Sequence, residues 1–210
     1  MPSKFRLRHI FKPIIKLIAK GFIKIGIRNP NIITIIMLFS AILSSLSLIL
    51  IQNLLVFAIF VFLVGIFDGV DGQVARLANR ASSIGGFFDS FMDRISEFFI
   101  FLGLFIYYQN QFLWNFIDMK IIVFISFFTS ILISYSRARA EVFYKGNFDI
   151  GLMARSERLF FIVVASTISF FYDIFVIFLF IFMLLVIGTF IFRIIRIYYI
   201  IKKKNLPIEH

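Results

Sequence analysis

Apolar residues dominate this chain in long runs, and most polar positions fall between the runs rather than within them. Runs near residues 31–51, 54–78, 84–108, 119–140, 157–172 and 174–200 each approach the roughly 20 residues that a helix needs to cross a bilayer. The pattern predicts six transmembrane helices, the last two obtained by dividing one long stretch at Tyr172 and Asp173. Residues 1–28 follow another rhythm: Arg8, Lys12, Lys16, Lys20, Lys24 and Arg28 recur every four residues, with Ile, Leu and Phe between them. At roughly 100° per residue this stripe drifts by about 40° per step, which predicts an amphipathic helix lying in the interface on anionic lipid. Pro13, Gly21 and Gly26 are expected to divide it. The fold class is therefore all-α integral membrane: an amphipathic juxtamembrane segment at 1–28 and one six-helix membrane domain at 29–205. A turn at Gly146 and Asn147 places the polar segment 141–154 over one end of the bundle.

Composition narrows the function classes. The 210 residues are 61% hydrophobic, with a mean hydropathy of +0.99, which excludes an ordinary soluble domain. The first apolar span is too long for a cleavable signal. Without cysteine there are no disulfides, thiolate metal sites or cysteine nucleophiles. The two histidines, His9 and His210, lie near the ends, so a carboxylate must do any acid–base work. A net charge of +11 would suggest a nucleic-acid partner in a soluble protein. Here the positive-inside rule accounts for it and no nucleic acid is expected. Basic residues precede the first span, flank the second turn at Arg76 and Arg80, surround the fourth at Arg137, Arg139, Lys145, Arg155 and Arg158, and close the chain at Lys202, Lys203 and Lys204. The opposite side has Lys120 and little else. A multi-pass protein of the cell membrane follows, with both termini and the hairpin that carries residues 68–93, and hence any active site there, on the cytoplasmic side.

The polar residues inside the runs carry the chemistry. Residues 68–93 read D-x-x-D-G-x-x-A-R-x(8)-G-x-x-x-D-x-x-x-D. Asp68 and Asp71 share one helix face, as do Asp89 and Asp93. If the chain reverses near Arg80 and Ala81, the two helices run antiparallel, Asp68 comes level with Asp93, and four acids converge. Bare carboxylates repel strongly in low dielectric. Hard divalent cations are the natural remedy, diphosphates are their usual companions, and a metal pair suits phosphoryl transfer. Gly85 and Gly86 open the second helix, whose start attracts phosphate. Arg76 is placed to pair with a phosphate oxygen. Glu97 is expected to pair with Arg94 or another bundle charge.

This pattern resembles the signature of the CDP-alcohol phosphatidyltransferase family, matched at Asp68, Asp71, Gly72, Ala75, Arg76, Gly85, Asp89 and Asp93 without a departure. The resemblance implies a homodimeric six-helix membrane enzyme with two divalent ions, Mg²⁺ or Mn²⁺. It would transfer the phosphatidyl-type group of a CDP-linked lipid to an alcohol and release CMP. It implies Asp68, Asp71, Asp89 and Asp93 as metal ligands, with Asp93 also the catalytic base. Asn31, Ile32, Ile33 and Thr34 resemble the family's nucleotide-contacting segment. Asp68, Gly72, Ala75, Arg76, Ser82 and Gly85 complete the implied CDP-lipid contacts.

The segments SYSRARAE (134–141) and GLMARSERL (151–159) resemble the inositol-phosphate branch, which makes phosphatidylinositol phosphate in bacteria and archaetidylinositol phosphate in archaea. That implies L-myo-inositol 1-phosphate as acceptor, with Ser134, Arg137, Arg155 and either Arg193 or Arg196 around its phosphate. The nearest alternatives keep the chemistry and change the acceptor to glycerol 3-phosphate or a second inositol phosphate. A cation-coupled membrane transporter would need access from both faces, whereas these acids crowd one. A non-catalytic lipid-binding scaffold would not require the fourth acid.

Overall fold

The computed structural model describes residues 10–143, 148 and 150–204, with side chains through residue 202. Arg8, His9, Lys145, Gly146, Asn147 and His210 lie outside the described residues, as do the side chains of Lys203 and Lys204.

Helix α1 (Lys12–Lys24) begins with Pro13 in its first turn, where a missing N–H costs nothing. It ends before Gly26, whose φ of 93° suits only glycine. The expected break at Gly21 does not occur. A helical glycine costs about 1 kcal/mol, and the burial of Ile15 and Ala19 against the next helices outweighs it. Lys12, Lys16, Lys20 and Lys24 are all exposed.

The six apolar runs become six helices. Asn29 caps α2 (Pro30–Leu46) through the Asn31 N–H at 3.1 Å, with Pro30 at the first helical position. A π-helical turn, Ser47–Ile51, prolongs it to a left-handed Gln52. Asn53 then caps α3 (Leu54–Leu77) through Leu55 N and Val56 N. Ser82 caps α4 (Ser83–Tyr107), its hydroxyl 3.0 Å from Gly85 N. A short hairpin, β1 (Phe112–Leu113) and β2 (Ile117–Asp118), leads to α5 (Met119–Phe143). Helices α6 (Arg155–Tyr172) and α7 (Phe175–Lys204) are parted at Asp173, held at a φ of 48°.

Among the described residues, four stretches are long and apolar enough to cross a membrane: Pro30–Ile51, Leu54–Leu77, Met119–Phe143 and Phe175–Lys202. In α4 and α6, by contrast, every 18-residue stretch holds at least three charged residues. The first carries Asp89, Asp93, Arg94 and Glu97, and the second Arg155, Glu157 and Arg158.

The packing departs from a simple motif hairpin. Helix α2 packs along both α3 and α4, whereas those two helices hardly touch one another. The wedge is tight: a Cβ on Gly103 of α4 would lie 2.8 Å from the Ser45 Cα of α2. Helix α6 packs on α3, α7 on α5, and α1 on α3, where Ile15 sits directly over Gly69. Met37, Phe57, Val61, Ile100, Leu104 and Phe182 fill the centre. The end remote from the acids is closed by aromatic contacts, among them Tyr108 on Phe175 at 5.9 Å and Trp114 on Phe180 at 5.4 Å.

Candidate active site

Asp68 and Asp71 sit in the second half of α3, and Asp89 and Asp93 in the first half of α4. Because α2 holds the two helices apart, their acids face each other across a gap. Carboxylate oxygens of Asp68, Asp89 and Asp93 lie within 4.8 Å of one another. Asp71, three residues beyond Asp68, is turned towards α2 and is only 3% exposed. It accepts a hydrogen bond from the Thr34 hydroxyl at 2.9 Å and another from Gly72 N. Thus Asp71 stands outside the close trio, although all four acids line one cavity. The Arg155 guanidinium pairs through Nη1 with Asp68 and with Asp93, the latter at 2.7 Å.

The donor set suits a hard divalent cation. It consists of oxygens alone, and they converge in a poorly solvated place where like charges repel. Asp89 Oδ1 is buried with no hydrogen-bond partner among the described residues, an acceptor that a cation would satisfy.

Two cavities meet at the acids. The larger, about 670 Å³, is lined by the four aspartates together with Ser134, Arg137, Arg155, Arg158 and Arg193. The smaller, about 150 Å³, lies beyond Asp71 and Asp89, between the start of α2 and the 78–82 turn. Asn31, Thr34, Gly72, Ala75, Arg76, Ser82 and Gly85 line it, so most of the nucleotide-contact residues expected from sequence come together. Asp68 lines the larger cavity instead, and Ile32 and Ile33 line neither. Asn31 and Thr34 share a helix face three residues apart, while Ile33 is fully buried against the contact of α1 with α3 and Ile32 is exposed.

The basic residues separate in the same way. Ser134, Arg137, Arg155 and Arg193 reach the large cavity; Arg196 does not. Arg196 lies on an exposed face of α7, its guanidinium 6.0 Å from the Phe192 ring. Arg137 pairs with Glu141 at 2.8 Å. Arg193, 2% exposed, donates to the carbonyls of Ile150 at 2.7 Å and Ile133 at 2.8 Å. Glu97 pairs with Arg158, a bundle charge, rather than with its neighbour Arg94. Sequence reasoning did not place Arg158 or Lys12 in the cavity wall, where both stand. The available signal was spacing: Glu97 lies one turn beyond Asp93, and Arg158 one turn beyond Arg155.

A bundle of apolar helices enclosing an aspartate cluster beside a basic cavity defines a class of membrane transferase. The chain belongs to the CDP-alcohol phosphatidyltransferase family, whose family model matches residues 27–195. It is 32% identical over 161 residues to the archaetidylinositol phosphate synthase of Pyrococcus horikoshii, covering 77% of this chain and 80% of that protein. It is 31% identical over 166 residues to the phosphatidylinositol phosphate synthase of Mycobacterium tuberculosis, covering 79% of this chain and 74% of that one. The crystal structure of the M. tuberculosis phosphatidylinositol phosphate synthase with CDP-DAG bound matches this fold with a TM-score of 0.76 at 26% identity. That match covers 89% of this chain and 94% of the other. The same enzyme in complex with manganese and citrate matches with a TM-score of 0.76 at 25% identity, covering 88% of each chain. The protein is thus a membrane enzyme of phospholipid biosynthesis.

Proposed function

We propose that the protein transfers the phosphatidyl-type group of a CDP-linked lipid, CDP-archaeol or CDP-diacylglycerol, to L-myo-inositol 1-phosphate with release of CMP. The observation that carries this reading is one cavity lined both by the four aspartates and by Arg137, Arg155, Arg158 and Arg193. A metal site needs no added cations, whereas an acceptor already bearing a phosphomonoester does, and arginine forks suit it. The names of the P. horikoshii and M. tuberculosis relatives support the same acceptor class.

Asp68, Asp71, Asp89 and Asp93 would hold two divalent ions, Mg²⁺ or Mn²⁺. When bound, such ions would offset the diphosphate charge and the charge developing at the β-phosphorus. The smaller cavity would receive the nucleotide, with Arg76 and the N–H groups at the start of α4 toward its phosphates. The acceptor's hydroxyl oxygen attacks the β-phosphorus. The bond from that phosphorus to the oxygen bridging to the α-phosphate breaks, and CMP leaves with that oxygen. Asp93 takes the hydroxyl proton as a general base. Arg137 and Arg155 orient the acceptor through its phosphate.

In this reading α2 to α7 are six membrane spans of one domain, 29–205, and the acids lie near the cytoplasmic face of the cell membrane with both termini. The 1–28 segment would rest in the interface, and the exposed lysines of α1 beside exposed Ile14 and Leu17 support that placement. A homodimer follows from the family resemblance.

The test is purified protein with CDP-lipid and a panel of phosphorylated acceptors, following CMP release. Inositol 1-phosphate is expected to be the best acceptor. Asp93→Asn is expected to abolish turnover while largely sparing nucleotide binding. Preference for glycerol 3-phosphate would remove the inositol assignment and leave the family intact.

A further inference from the structure

Two arginines buried in the bundle make parallel connections. Arg158 of α6 is 1% exposed and engages both oxygens of Glu97, which is 2% exposed, through Nε at 2.8 Å and Nη2 at 3.0 Å. Its Nη1 donates to the Met153 carbonyl at 3.1 Å, and its Nη2 also reaches the Ser134 hydroxyl at 3.4 Å. Arg193 of α7 binds the carbonyls of Ile150 and Ile133. Each guanidinium therefore joins a backbone carbonyl of the segment 150–153 to the adjacent positions 133 and 134 on α5. These two places border the large cavity: Ser134 and Arg137 project from one, and the other leads directly into Arg155.

Stability alone is a weak reason for such a pair. Burying both charges is costly, and an apolar pair of similar volume would hold two helices as well. What apolar side chains cannot supply is a fork that fixes Met153 and Ser134 in relation to each other. Glu97 stands one turn beyond Asp93 on α4, so the same fork ties the acidic helix to the segment that delivers Arg155. We propose that Arg158, oriented by Glu97, is a positioning residue for the acceptor. Together with Arg193 it braces segment 150–154 against α5 and sets the spacing between Arg155, Ser134 and Arg137. This rests on the acceptor being phosphorylated. The nucleotide side of the site, built from α2, α3 and the start of α4, makes none of these contacts.

The test compares the double replacement Glu97→Met with Arg158→Met, the single Arg158→Lys, and the unmodified enzyme, in detergent with Mn²⁺. The double variant is expected to keep the melting temperature and the KM for CDP-lipid, while KM for inositol 1-phosphate rises about tenfold or more, as misplaced binding groups do. Arg158→Lys keeps a charge for Glu97 but cannot span Met153 and Ser134 together, so it is expected to show the same split to a smaller extent. An unchanged acceptor KM in the double variant overturns the proposal. So does a parallel rise in both KM values with a lowered melting temperature, which a merely structural pair would give. If the double variant does not purify, Arg158→Lys decides on the same criterion. A preference of the unmodified enzyme for an unphosphorylated alcohol overturns the underlying acceptor reading instead, independently of any variant.

Discussion

Replacing Gly103 by alanine tests the wedge of α2 between the two acidic helices. The new Cβ would lie 2.8 Å from Ser45 Cα, 3.1 Å from its Oγ and 3.3 Å from its Cβ. Non-bonded carbons settle at about 3.5–4.0 Å, so α4 and α2 must part by roughly 1 Å at this crossing. The nearest atom is backbone, and no rotamer change relieves it. Overpacking of this kind costs about 1–3 kcal/mol, and each kcal/mol lowers Tm by about 2–4 °C in a chain of this size. Gly188 of α7 is the internal control. A Cβ there meets nothing within 4 Å, and alanine is the better helical residue by about 0.8–1.0 kcal/mol. The same substitution is therefore expected to have opposite signs at the two positions. The assay is the fraction of protein remaining monodisperse on size exclusion after heating in detergent. A second reading follows from distance: Asp93 lies about 15 Å along α4 from Gly103 at 1.5 Å per residue. A displaced α4 is thus expected to raise the Mn²⁺ requirement as well. Gly103→Ala melting at or above the unmodified protein would refute the tight crossing and the reasoning from it.

Two other outcomes follow from named contacts. Thr34→Val keeps the shape of the side chain but removes the donor to Asp71; partners of this kind typically support metal affinity by 10–100-fold. The Mn²⁺ concentration for half-maximal activity is expected to rise on the order of tenfold, and an unchanged requirement would detach Thr34 from the metal site. Trp114, the sole tryptophan, is exposed beside Phe112 and Phe116 at the end remote from the acids. Its fluorescence in vesicles is expected to be quenched by brominated lipid, as an interfacial aromatic would be; quenching by aqueous iodide alone would place that hairpin clear of the bilayer.

Helix extents were readable from the apolar runs, and three of the helix starts also carry local caps. Asn29 with Pro30, Asn53 and Ser82 are caps of the kind that sequence displays openly, and the long apolar stretch does divide at Asp173. The acids were readable too, since spacings of three and four residues fix which side chains share a face. What was not readable depends on partners far along the chain. Nothing local says that Ser45 meets Gly103, and without that contact the motif was expected to form a simple antiparallel hairpin. Nothing local sends Thr34 to Asp71 or Glu97 to Arg158. The choice between Arg193 and Arg196, both near the end of one helix, required knowing which face of α7 looks inward. Ile32 and Ile33 entered the expected nucleotide contacts as part of a four-residue segment, but a helix can present only alternate parts of such a segment to one ligand.

At the end remote from the carboxylates, Gln52 and Asn53 alone lead into α3, and Asp173 and Ile174 alone link α6 to α7. Links of two residues leave no slack for those helix ends to swing apart. Polar ligands are therefore expected to reach the carboxylates from the other end of the bundle, and under the proposed reaction the departing nucleotide and the arriving acceptor would use that same end.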